Sequence, residues 1–468
     1  MRTPSLALLL VVVGCGSSGV APSPVDAGVE AAAPSPLGDL LTISEVAGYQ
    51  TVKVDVMKDG APLGKYNAPL VTAKAGIFRV YVTLTPKKGW RSKPLEAELH
   101  LFAGGELIVT DKKTIATSSD DDLYGTTFNF HFDAKALGLS TSFHLIVRDP
   151  ALAARGPDVA EVRYPAAGQQ QLAISANPGL VKIVVVPVQY TADQSDRLPA
   201  TDTEELDGIR ALLLDMYPAG TVDLQVRPQP LVWSQPVDPS GDGWDTLLGG
   251  VIDTRAQDAP GDDVYYVGAF QPRGSFGNYC QGGCVLGLAP LAGPTDAFER
   301  GALVIGYPGS TYHGTVAHEL GHTMGRSHAP CGGPQGIDPK FPYEGGTDGV
   351  TGYSISNDTL MPAEDFDVMG YCQPVWISDY TYAALFDRVR VVNYQAAMTG
   401  PRPMQKFRRI YIGQDGVMRE GGIVQRPFLE GPLTDVALSL PNGTKQHVTG
   451  HFFAYDHLAG GYVLVPLP

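Results

Sequence analysis

Apolar and polar positions change their rhythm twice along the chain. Between residues 45 and 165, short runs rich in β-branched and aromatic residues recur at 51–57, 78–85, 96–103, 124–133 and 142–149. Several alternate apolar with polar, the mark of strands with one face buried. Asp59-Gly60 is a hairpin signal between two such runs. The spacing predicts an immunoglobulin-like β-sandwich over residues 41–170. From 175 onward the rhythm differs. Residues 181–188 are almost continuously apolar, as in a strand covered on both faces. A helix follows, with Thr201 and Glu204 in the spacing of a capping box. Leu206, Ile209, Leu213 and Met216 form its apolar face, and Pro218 stops it. Residues 222–226, 263–267 and 302–305 read as further strands, so the β-α-β order predicts a mixed sheet with helices on its faces. A last helix is expected from near Ser378 to about Asn393, with Tyr382, Phe386 and Val389 on one side. Beyond 403 the pattern is β again, at 408–412, 416–418, 436–440, 448–455 and 462–465, with a second hairpin signal at Asp415-Gly416. The fold class is therefore multidomain: an α/β (α+β) domain over 175–400, flanked by the sandwich and by a small C-terminal β domain at 403–468.

The first residues do not belong to this scheme. Arg2 precedes an apolar run at 6–13, too short to span a bilayer as a mature helix, and Gly14-Cys15 follows. Val12-Val13-Gly14-Cys15 resembles the lipobox of bacterial lipoproteins. The resemblance implies that 1–15 is a signal peptide with its lipobox, that Cys15 is lipidated, and that the protein is exported and membrane-anchored. Gly16 in place of an Asp implies the outer membrane or cell surface. Residues 16–40 then form a flexible tether rich in Gly, Ser, Pro and Ala. The chain carries 34 Lys+Arg against 49 Asp+Glu, a net charge of -15, which would repel a phosphate backbone and excludes nucleic acid as a partner. Four cysteines remain: Cys280, Cys284, Cys331 and Cys372. In an oxidising compartment an even number predicts two disulfides, with three pairings open; a four-cysteine zinc cluster is the competing reading.

The chemistry concentrates in His318-Glu319-Leu320-Gly321-His322-Thr323-Met324-Gly325-Arg326-Ser327-His328. Four residues apart on a helix, His318 and His322 share a face and can bind one zinc ion. Glu319 can take a proton from water beside it. A straight helix would carry His328 away from the ion. The chain must therefore turn back, and Gly325 is placed to accept the left-handed conformation this requires. Three histidines leave a tetrahedral zinc with an open position, the arrangement of a catalytic site. A chance match in a chain this long has odds on the order of one in ten thousand.

The segment matches the signature of metzincin zinc peptidases; with Trp376-Ile377-Ser378-Asp379-Tyr380-Thr381-Tyr382, which looks like the start of the C-terminal helix of bacterial secreted metzincins, the resemblance covers about residues 180–395. The likeness extends to the bacterial exported metzincins that include mucin-cleaving zinc proteases, although mucin as substrate does not follow. Asp367-Val368-Met369-Gly370-Tyr371-Cys372 resembles the methionine turn of the family. The resemblance implies that Met369 floors the histidines and that Tyr371 assists the transition state; a packed aromatic is its bland alternative. It also implies Cys331–Cys372 as a clamp at the base of the site, leaving Cys280–Cys284 as a local loop. His313 reads as a loop residue before the helix. Asp120-Asp121-Asp122 reads as a solvated loop, and no calcium motif supports a Ca2+ site among Asp338, Glu344 and Asp348.

These readings converge on an exported zinc metalloendopeptidase acting on protein or glycoprotein, with Glu319 as general base and then acid. The alternative is a surface glycoprotein-binding protein or adhesin on a metalloprotease scaffold. A zymogen is a third reading. Residues 45–165 contain no Cys, so a cysteine switch from that part is excluded, while an Asp is not. Substrate preference and oligomeric state are not legible.

Overall fold

The computed structural model describes residues 37–85, 92–398, 400, 403–427, 429, 433–439 and 443–468. The apolar leader, Cys15 and most of the tether lie outside the described residues. The architecture is mixed α+β and rich in sheets.

Its first part rests on the longer strands β1 (Leu41–Tyr49), β2 (Lys53–Lys58), β3 (Gly76–Leu84), β4 (Lys93–Phe102), β5 (Glu106–Ile115), β6 (Phe128–Phe132), β7 (Ser142–Arg148) and β8 (Glu161–Tyr164). They form two antiparallel sheets, in the orders β2-β1-β3-β6 and β8-β7-β4-β5. Val46, Phe78, Val80 and Phe130 of the first meet Leu95, Leu99, Phe143 and Leu145 of the second in one core. Asp59 (φ 51°) and Gly60 (φ 77°) are both left-handed, as the two-residue turn from β2 into the short edge strand Ala61–Pro62 requires. Asp121 departs from the solvated loop expected of three adjacent acids. It gathers Lys53 Nζ at 2.9 Å and the Tyr81 hydroxyl at 2.5 Å. The buried guanidinium of Arg79, 3.5 Å away, completes an ion-paired hub.

The central sheet is built from β9 (Val181–Tyr190), β10 (Val222–Val226), β11 (Leu231–Trp233), β12 (Val264–Phe270), β13 (Gly287–Leu288) and β14 (Gly301–Ile305). Its order is β10-β9-β12-β14-β13, with β11 on the end of β9. All pairs are parallel except β13–β14. The continuous apolar run of β9 follows from its position, hydrogen-bonded on both sides and covered on both faces. Helix α1 (Thr203–Met216) buries Ile209, Leu213 and Met216 as expected, but Asp202, not Thr201, caps it. The Asp202 carboxylate accepts from the amides of Glu204 and Glu205, placing a full charge at the positive end of the helix. Helix α2 (Trp244–Asp258) was not expected. Trp244, Leu247, Leu248, Val251 and Ile252 recur at helical spacing and are buried, but Gly249-Gly250 interrupts the run with two poor helix formers. Helix α3 (Ser310–Thr323) follows β14, and α4 (Asp379–Met398) extends past the expected end at Asn393.

The last sheet contains β15 (Met404–Ile412), β16 (Met418–Pro427), β17 (Thr434–Ser439), β18 (Lys445–Ala454) and β19 (Gly461–Pro466), in the antiparallel order β16-β15-β19-β18-β17. It does not stand apart from the central unit. Tyr411, Phe453, Tyr455 and Tyr462 share a core with Trp244, Leu248 and Phe298. Around that core Arg409 grips Asp253 through both nitrogens, at 3.0 and 2.7 Å, and Arg426 reaches the same carboxylate at 2.8 Å. Arg419 pairs with Asp245, and the Tyr462 hydroxyl donates to buried Glu299. This docking directs the β18–β19 connection toward α3. Among the described residues, no helix is long and apolar enough to cross a membrane.

Candidate metal centre

Helix α3 places His318 and His322 one turn apart and ends where the sequence demands a reversal. Gly325 sits at φ 80°. Its amide donates to the His322 carbonyl at 2.7 Å, and the Arg326 amide donates to the Gly321 carbonyl at 2.9 Å. Together these close the helix C-terminus and satisfy two of its carbonyls. Any L side chain at 325 would cost about 1–2 kcal/mol for its backbone alone. After the reversal His328 comes back to the first two histidines, its ring centroid 5.4 Å from that of His318 and 4.5 Å from that of His322.

The three rings are oriented by the backbone. His318 Nδ1 donates to the Val368 carbonyl at 2.6 Å, His322 Nδ1 to Arg326 at 2.6 Å and His328 Nδ1 to Gln335 at 2.5 Å. With the proton on Nδ1 in each ring, every Nε2 presents a lone pair. Burial holds His318 and His322 far below the usual imidazole range and His328 down to about 4, so all three stay neutral. His328 Nε2 is buried with no hydrogen-bond partner. A buried nitrogen without a partner is costly unless something binds it. Among the described residues, the donor atoms of His318, His322, His328, Asp456 and His457 lie within 4.8 Å of one another, the one such grouping able to hold a metal ion.

The floor is equally built. Met369 is buried, and its Sδ lies so close over Gly321 that a side chain there would collide with it. Asp367, at the head of this segment, fixes the turn. Its carboxylate accepts the Met369 amide at 2.8 Å and the Ser378 amide at 3.0 Å, so one residue holds both the turn and the start of α4. The Met369 carbonyl accepts from Ala329 at 2.9 Å, tying the His328 segment to the same turn. Disulfides join Cys331 to Cys372 and Cys280 to Cys284.

The position opposite the three histidines is not open to solvent. Asp456 and His457, from the β18–β19 connection, occupy that side. His457 Nε2 lies 2.8 Å from Glu319 Oε1, and Asp456 Oδ2 lies 3.2 Å from His322 Nε2. Tyr371 reaches the same side of the centre. It is 42% exposed, stacks on His457 at 5.2 Å between centroids, and bonds His457 Nδ1 through its hydroxyl. His313, in turn, lies within α3 and pairs with Glu205 at 2.8 Å, away from the centre. No sequence signal marked Asp456 or His457. They form an ordinary polar pair in a Gly-ended turn, far downstream of the motif. The acids of the 332–352 loop do not converge. Asp338 accepts from Tyr380 at 2.9 Å, Glu344 is exposed, and Asp348 is buried with both oxygens unpartnered. Burial, with Asp367 and Asp365 nearby, pushes the Asp348 carboxyl up to about 10, so it is held neutral.

Glu319 is fully buried, and burial pushes its carboxyl up to about 8. Edge strand β13 supplies the space it needs, because a Cβ at Gly287 would fall 2.6 Å from Glu319 Cγ and closer still to the carboxylate. Gly287→Ala should therefore displace Glu319 without touching a histidine. Made in an Asp456→Ala/His457→Ala background, which uncovers the centre, it is expected to leave metal content unchanged and to reduce hydrolysis on the order of a hundredfold, as for loss of a proton-transfer group. Metal analysis beside a peptide assay checks this, and loss of the metal would refute the independence of the two.

No protein-family model matches this chain, and no curated protein is significantly similar to it. Among solved structures, the metalloproteinase-II of Bacteroides fragilis is similar at 10% identity and a TM-score of 0.26, over 72% of this chain and 87% of that one. Similarity at this level carries neither fold nor activity across.

Proposed function

We propose that the chain is a zinc-dependent endopeptidase of metzincin type, exported and anchored through a lipid on Cys15. The observation that carries this reading is the convergence of three imidazoles, each with Nδ1 held by a backbone carbonyl, beside a buried glutamate. Three neutral nitrogens, with the Asp456 carboxylate among the same group of donor atoms, suit zinc in donor type and number. Zinc bound there would supply Lewis acidity, making water acidic and a scissile carbonyl electrophilic. Glu319 takes the proton from attacking water and returns it to the leaving amine. The Tyr371 hydroxyl, once released from His457, donates to the developing oxyanion. The substrate is protein or glycoprotein. Residues 41–170 are proposed as an immunoglobulin-like domain and 403–468 as the C-terminal β domain.

Because Asp456 and His457 face the centre, the test uses both the intact chain and Asp456→Ala/His457→Ala. Elemental analysis should find one zinc per chain in each, lost in His322→Ala. Casein cleavage by the double variant should stop with 1,10-phenanthroline and return with added zinc. Bound zinc with no hydrolysis in either form would instead favour the adhesin reading.

A further inference from the structure

We propose that the β18–β19 connection is an autoinhibitory plug, in which Asp456 supplies the fourth ligand to the metal and His457 seals Glu319. The inference rests on the metal-site reading above. The first observation is an unpartnered atom. Asp456 is buried, and its Oδ2 accepts no hydrogen bond although it lies 3.2 Å from His322 Nε2 and 3.1 Å from His457 Nε2. A buried carboxylate oxygen 3.2 Å from the lone pair of His322, with the donor atoms of His318 and His328 within 4.8 Å, is costly in isolation and is satisfied by a shared cation. The other oxygen, Oδ1, is aimed by the Ala289 amide at 2.9 Å.

The second observation is the path of the backbone. Tyr455 pairs antiparallel with Pro290, just beyond edge strand β13. The Leu291 amide donates to the Ala454 carbonyl and the Asp456 amide to the Ala289 carbonyl, both at 3.2 Å. An extended segment thus adds to the sheet edge beside Glu319, the place and manner in which a peptide substrate would bind by strand addition. The third is closure. Glu319 and His322 are fully buried and His328 is 1% exposed, so no peptide reaches them while the plug is seated. The plug is rigidly carried, because Tyr455 and Leu458 belong to the core shared by the last sheet and the central unit. The latency device is therefore C-terminal, and the acid in it is Asp456.

The test replaces the metal by Co2+ in the full-length chain and titrates acetohydroxamate, a metal-binding probe, while visible absorption is recorded. In Asp456→Ala/His457→Ala the probe should bind and change the cobalt spectrum. In the intact chain its apparent Kd should be at least about tenfold weaker, because only the fraction with a displaced plug is competent. Equal probe affinity in the two chains, with cobalt bound in both, would overturn the plug and leave the peptidase reading standing. Failure of cobalt to bind either chain would overturn both. Asp456→Asn keeps the side-chain shape if the double variant does not fold. Its Co2+ affinity should fall by at least the roughly tenfold that losing even an outer partner costs, and an unchanged affinity removes Asp456 from the ligand set.

Discussion

Glu319→Gln, made in the Asp456→Ala/His457→Ala chain, should lower peptide hydrolysis by about a thousandfold or more while leaving one zinc per chain. The loss corresponds to about 4 kcal/mol of barrier. Gln has the shape of Glu and fits the same buried space, but it cannot accept the proton of water or return one to an amine. The metal should stay because the three imidazoles are oriented without Glu319, through the carbonyls of Val368, Arg326 and Gln335. The plug-free background matters, since in the intact chain the glutamate is engaged by His457 at 2.8 Å and a low rate would have two causes. Elemental analysis and a quenched-peptide assay on the same preparation decide the matter. Zinc lost together with activity would mean that Glu319 is structural.

What the sequence disclosed follows from how local each feature is. The zinc-helix segment was legible because its ligands, reversal and base lie within eleven consecutive residues, and each constraint (helical spacing, a left-handed glycine) acts over a turn or two. Strand β9 was legible for the same reason, since burial on both faces writes itself as one apolar run. Helix α2 was not, because Gly249-Gly250 hides a periodicity that tertiary packing restores. The cap of α1 was misplaced by one residue: Thr201 and Asp202 both offer an oxygen, and only the backbone decides which one meets the amides. Asp456 and His457 were illegible for a deeper reason. Their position arises from sheet docking by Arg409, Arg426 and Tyr462 against Asp253 and Glu299, long-range contacts with no periodicity to announce them. Three histidines alone therefore could not disclose that Asp456 and His457 cover the side they face.

Removing the Cys331–Cys372 bond by paired Ser substitution should destabilise the protein by about 4 kcal/mol, against about 2 kcal/mol for the same change at Cys280–Cys284. The difference comes from the unfolded chain. The first bond closes a separation of 41 residues and the second a separation of 4, so the first withholds more loop entropy. Location adds a second difference. Cys331 lies just after His328 and Cys372 just after Met369 and Tyr371, and the Tyr371 amide donates to the Cys331 carbonyl at 3.0 Å. Loosening this clamp frees the ligand that arrives by a loop, while His318 and His322 remain held on their helix. Zinc affinity should therefore fall in the Cys331/Cys372 variant and stay unchanged in the Cys280/Cys284 variant. Thermal unfolding and a zinc competition titration on both variants check the pair of expectations. Equal losses of stability would argue against the loop-entropy account. An unchanged zinc affinity in the first variant would show that the hydrogen bonds around Met369 hold His328 without the disulfide.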